Sequence, residues 1–238
     1  MNMTAFLTIF SNTVFLDFIK GPMVWLSFII FGLGLIVQTF RLLKLTQVKE
    51  ARRFAPDEAF VPQTDLSGWE RFTRYLAFRR GTVLGSNACL VLVSFIFHVC
   101  LVITPIFVLG HNVMLDISFG ISLVSFPEQI SDIMTRFVIA GGLLFFMRRL
   151  FLRRVRMIST VNDFILLFVA VAPFLTGFLA YHHIFNYNVM IVLHILCGEL
   201  MLMLIPFSKF LHMVFFFISR FMIVSEHSMG NPKRSWQF

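Results

Sequence analysis

Four of the 7 histidines, His98, His111, His194 and His212, lie inside or at the edge of long apolar stretches. An ionisable side chain at bilayer depth is costly unless partnered, so such residues face the bundle interior and mark functional sites. A neutral imidazole avoids most of that cost by ligating a metal, haem iron included; the simpler use is a hydrogen bond to a neighbouring helix. Four imidazoles on two helices suffice for two bis-histidine haems of the b type. Such ligation leaves the iron no open position for substrate, so the chemistry expected is electron transfer.

On a straight helix the eighteen steps from His194 to His212 return to one azimuth and separate the rings by roughly 27 Å. The stretch bearing His98 and His111 runs the opposite way, so depth pairs His98 with His212 toward the inside and His111 with His194 toward the outside. One difficulty stands against this: thirteen steps from His98 to His111 leave the two rings roughly 140° apart on a straight helix. Thr104-Pro105 lies between them and could kink it. Without a kink, His182 or His183 becomes the alternative outer ligand. Gly110 and Gly198 remove side-chain bulk where a porphyrin would approach the backbone, although small residues also serve ordinary helix packing in membranes. Lys209, Arg136, Arg148 and Arg149 are candidates for pairing with haem propionates. A quinone would need an apolar pocket and a proton acceptor at the outer edge, where His111, Asp116, Glu128 and Asp132 are the candidates.

The elements that must position these residues are transmembrane helices. The 238 residues are 58% hydrophobic with 32 Phe, and only 13% are charged, which is far from the balance of a soluble domain. At roughly 20 apolar residues per crossing, the expectation is an all-α integral membrane bundle of about five helices forming a single membrane domain. The spans are read at 23–40, 83–109, 137–147 with flanking residues, 164–180 and 189–217. No room remains for a large soluble domain, so the chain is expected to be a component of an oxidoreductase and not a complete enzyme.

The net charge of +8 does not point to nucleic acid, because the basic residues sit between spans. Residues 41–80 and the cluster Arg148, Arg149, Arg153, Arg154 and Arg156 are both cytoplasmic by the positive-inside bias. That orientation places the N-terminus outside and the C-terminus, with Lys233 and Arg234, inside. Residues 1–21 read as an outer interfacial segment preceding Gly21-Pro22, and 117–133 as an apolar outer loop. The cytoplasmic loop 41–82 includes an amphipathic helix over 66–78 with Trp69, Phe72, Tyr75 and Leu76, a headgroup anchor or a partner platform. His227 in the tail 223–238 is a surface residue. Cys89, Cys100 and Cys197 lack the spacing of an iron–sulfur, zinc or haem c site and read as packing residues.

The segment from His194 through Pro206-Phe207-Ser208-Lys209 to His212, with Gly110-His111 and the five-span, N-outside arrangement, resembles the gamma subunit of respiratory nitrate reductase, a five-span dihaem cytochrome b. The spacing from His98 to His111 is longer than in that pattern. In overall character the chain is more similar to the cytochrome b subunits of sulfate-reducer transmembrane complexes: the tetrahaem, high-molecular-weight cytochrome and sulfite-reductase-linked assemblies. The resemblance implies a multi-pass protein of the bacterial inner membrane, menaquinone exchange near the outer haem, and a cytoplasmic iron–sulfur subunit related to heterodisulfide reductase. It also implies a periplasmic multihaem cytochrome c as a further partner. The competing expectation from the residues is a non-haem transporter or assembly scaffold, in which the histidines relay protons or pack.

Overall fold

The computed structural model describes residues 13–46 and 87–218, and these are helical with no strand among them. Most of the loop 41–82 with its amphipathic segment, residues 1–12 of the proposed interfacial segment, and the tail 223–238 lie outside the described residues.

Five helical runs are long and apolar enough to cross a membrane: Val14–Lys44, Ala88–Phe107, Glu128–Phe151, Val161–Tyr181 and Tyr187–Phe207. The first is built from α1 (Thr13–Phe18), one π-helical segment (Ile19–Met23) and α2 (Val24–Thr46). Residues 14–21 are therefore continuous in helix with the first span. Pro22 has no N–H for an α-helical bond, and the wider π turn accommodates it without ending the helix.

The second span is α3 (Ala88–Phe107), followed by α4 (Leu109–Phe119). The third, expected to be the shortest, is the 24-residue α5 (Glu128–Phe151), which begins inside the stretch read as an outer loop. Its first two turns are polar, so hydropathy hides them, but Pro127 precedes them and Glu128 suits the positive end of the helix dipole. A short α6 (Arg153–Arg156) leads to α7 (Val161–Tyr181), then α8 (Tyr187–Leu204). The apolar stretch of the fifth span is not one straight helix. It breaks at the 3-10 turn Ile205–Phe207 and the extended Ser208, then continues as α9 (Lys209–Ile218), whose first turn is again 3-10. Pro206 causes the break by removing a helical donor.

Neighbouring helices pack in the order α3, α5, α7, α8, α2. Adjacent glycines make this possible. A Cβ on Gly141 would press on the Phe97 ring of α3, and one on Gly142 would collide with Val171 of α7. Being about 100° apart on α5, they admit a different neighbour on each side. Phe97, Cys100, Val138 and Phe174 form the buried cluster at this junction, with the Phe97 and Phe145 rings 5.1 Å apart edge to face. α3–α4 is not among the close neighbours of α8–α9, and side chains span the interval between them.

Candidate functional site: two histidine pairs between α3 and α8–α9

The histidines bridge that interval in two pairs. His98 of α3 and His212 of α9 have ring centroids 6.0 Å apart at an interplanar angle of 82°. His111 of α4 and His194 of α8 are 5.8 Å apart at 29°.

What turns His111 toward His194 is a break, not a gentle kink. Val108 adopts an extended conformation (φ −71°, ψ 133°), which ends α3 three residues after Pro105 and starts α4 afresh. Helix ends leave carbonyls unpaired. Here the Pro105 carbonyl accepts from His111 Nδ1 at 2.8 Å, and the Phe107 carbonyl from the Phe126 N–H at 2.9 Å. The second bond folds the chain back over α4 after Gly120, whose φ of 66° suits a residue without Cβ. Asn112, buried at the fold, donates to the Ser125 hydroxyl at 2.8 Å. Phe119 then reaches the first span, with its ring 5.4 Å from that of Trp25.

The other three imidazoles are fixed in the same way. His98 Nδ1 lies 2.6 Å from the Ser94 carbonyl, His194 Nδ1 2.8 Å from the Pro173 carbonyl and His212 Nδ1 2.6 Å from the Lys209 carbonyl. A carbonyl oxygen only accepts, so each Nδ1 is the donor, and in a neutral ring the lone pair is then on Nε2. A hydrogen bond from the far ring nitrogen of this kind orients histidines that ligate metals.

Gly177 of α7 completes the His194 seat, since a Cβ there would come within 2.9 Å of the ring. The His212 seat is the Pro206-Phe207-Ser208-Lys209 joint. Pro206 abuts Gly34 of α2, and its carbonyl accepts from Gln38 Nε2 at 3.0 Å. Ser208 caps the new turn by accepting from the Phe210 N–H. Lys209 Nζ pairs with Asp163 at 2.7 Å, and the same carboxylate accepts from the Thr160 N–H and hydroxyl at the start of α7.

Gly110 and Gly198 each look into open space, with no atom within 4 Å of an added Cβ. The remaining candidates are not brought to the paired rings. His182 Nε2 is 2.9 Å from Asp132, which also binds Arg136 at 2.6 Å. His183, at the α7–α8 turn, lies against Tyr187, with ring centroids 5.4 Å apart. Glu128 accepts from the Tyr181 hydroxyl at 2.9 Å, and Asp116 is exposed near the end of α4. At the opposite end of the bundle, Arg149 contacts the Ser159 hydroxyl at 3.4 Å, and Arg148 is half-buried.

The donor set suits a haem. A ligating imidazole nitrogen lies about 2 Å from its metal and about 1 Å from its own ring centre, so rings flanking one metal ion have centroids about 6 Å apart. Among the described residues no group of three or more His, Cys, Asp or Glu side chains converges. Two imidazoles are fewer than a structural zinc site takes and are the number that an iron porphyrin with two axial histidines would take.

Several contributors carry no signal of their own in the sequence. Ser94, Pro105 and Pro173 act through backbone carbonyls. Gly34, Gln38, Asp163 and Gly177 act from helices that bear none of the paired histidines. The carboxylate Glu199 is buried in α8 at 4% exposure.

Comparison with known proteins gives one informative match. A protein of Nitratidesulfovibrio vulgaris Hildenborough is 34% identical over 208 residues, covering 85% of this chain and 89% of its own length. No family model and no solved structure matches.

Proposed function

This chain belongs to one family with the Nitratidesulfovibrio vulgaris protein, and we propose that it is a dihaem b electron-transfer subunit of a respiratory complex in the bacterial inner membrane. The observation that carries this reading is the shared state of the four histidines. Each commits Nδ1–H to a backbone carbonyl and keeps Nε2 free, in pairs whose centroid separations match rings flanking one metal.

His98 and His212 would hold the inner haem, and His111 and His194 the outer one. When bound, each haem supplies one-electron transfer. This chain binds and orients the haems between α3 and α8–α9, and its apolar spans keep the surroundings free of water. Open space beside Gly110 and Gly198 supports close approach of a porphyrin. Lys209 and Arg136, with side chains 66% and 58% exposed, keep spare donors for propionates.

The basic Arg153–Arg156 end faces the cytoplasm in this reading, where an iron–sulfur subunit of the heterodisulfide-reductase kind docks. At the other end, Tyr181–Glu128 and the Arg136–Asp132–His182 set offer proton acceptors for menaquinone or an edge for a periplasmic multihaem cytochrome c.

The test is a reduced-minus-oxidised spectrum with pyridine haemochrome quantitation on the purified protein. Two b haems per chain are expected; a chain with no Soret band would overturn the reading in favour of a non-haem transporter or scaffold.

A further inference from the structure

Glu199 of α8 is buried, and neither carboxylate oxygen has a hydrogen-bond partner. Its place in the fold is defined. α2 and α8 run in the same direction and meet where Gly34 abuts Pro206. Seven residues back along each helix, Ser27 and Glu199 come to about the same level. Ser27 is fully buried too, with its hydroxyl given to the Val24 carbonyl. Glu199 lies about 8 Å along the axis from His194 toward the His98–His212 end, and about 140° around the helix from it. It therefore sits between the two histidine pairs in depth and on the face turned away from them.

The ionisable groups on the elements packed against α8 are engaged or remote. Asp163 is held by Lys209 and Tyr181 by Glu128, at opposite ends of α7. Lys20 lies on the π segment and Arg41 and Lys44 in the last turns of α2. On α8 itself, His194 is bonded to Pro173 and Cys197 is a free thiol.

We infer that Glu199 is a proton-binding site in the bilayer interior, taking up one proton when an electron reaches a histidine pair and releasing it when the electron leaves. The inference rests on the dihaem reading. Leaving its propionates aside, a bis-imidazole iron–porphyrin core would carry one positive charge when ferric, which favours a nearby carboxylate, and none when ferrous, when an unpartnered buried carboxylate would bind a proton. The balance per turnover would be one electron from the iron–sulfur or cytochrome donor, taking the iron from ferric to ferrous, and one proton drawn from the aqueous phase at the membrane edge and bound as O–H on Glu199. Oxidation returns both.

Electrochemically poised infrared difference spectra of the intact protein in lipid test this. On reduction, the carbonyl stretch of a protonated carboxylic acid should appear, shift in D2O and be lost in Glu199→Gln with both haems retained. The haem midpoint potentials should also lose pH dependence in Glu199→Gln and keep it in Glu199→Asp. If Glu199→Gln does not fold, labelling the wild type with carboxyl-13C glutamate must shift the band. A haem-bearing wild type without the band, or a band that persists in Glu199→Gln, overturns the role of Glu199 alone. A wild type without haem overturns the dihaem function and the coupling with it.

Discussion

Each imidazole is held by a carbonyl that a helix would ordinarily use or leave spare, so the histidines are specific as side chains while their seats are generic. Removing a histidine should therefore have a local effect. His98→Ala and His212→Ala are each expected to lose the same haem, and His111→Ala and His194→Ala the other, with about half the pyridine haemochrome signal remaining in every case. Loss of the outer haem in a His182→Ala or His183→Ala variant with retention in His111→Ala would contradict the pairing. A seat can also be damaged without touching its histidine. Gly177→Val would drive a side chain into the His194 ring, so the expected outcome is selective loss of the outer haem signal in a chain that still carries the inner one. Sequence reasoning reached the four rings because ionisable groups stand out in an apolar background. Glu199 is equally unusual in type and place, but a lone carboxylate has no second residue whose spacing would mark it as a site.

Helix directions alone predict which rings share a depth, and the rings do meet in those combinations. The breaks within the helices were harder to read. Pro105 announces a distortion, but the chain turns at Val108, where the backbone becomes extended and a second helix starts. Pro206 lies in what hydropathy presents as one continuous stretch, because the residues around it stay apolar through the break. The joint that follows depends on Asp163, an element away. Asp163→Asn should release Lys209 and weaken the start of α7, lowering the thermal midpoint and broadening the spectrum of the inner haem more than the outer; equal broadening of both would place the joint elsewhere. The glycine pair of α5 gives a second element-scale expectation. Gly142→Leu overpacks the α5–α7 contact and should cost about 1–3 kcal/mol, seen as a lower unfolding temperature in detergent, while Gly32→Ala, where an added Cβ meets nothing within 4 Å, should leave helix packing intact.

For the molecule as a whole, hydropathy and charge were sufficient for an all-α bundle with five crossings, because in a bilayer every backbone polar group must be satisfied within the segment. The orientation expected from the basic residues can be tested. A single cysteine replacing Val155, beside Arg153, Arg154 and Arg156, should resist an impermeant thiol reagent in intact cells and react once the membrane is opened, provided Cys89, Cys100 and Cys197 are first replaced by Ala. Labelling in intact cells would invert the topology. In the dihaem reading, haem removal should have a global effect, since the cofactors would bridge α3 to α9 and α4 to α8. The apoprotein is expected to melt at a lower temperature than the loaded one, by the mass-action stabilisation that any native-state ligand provides.

The two seats also differ in when the ribosome delivers them. His111, its Pro105 carbonyl, His194, Pro173 and Gly177 have all been synthesised by residue 194, whereas His212 and the Lys209 that positions it come last and depend on Asp163 already standing in the bundle. In the dihaem reading, assembly would thus be ordered by the chain itself: a polypeptide truncated after Leu204 would keep the His111–His194 seat and lack the other.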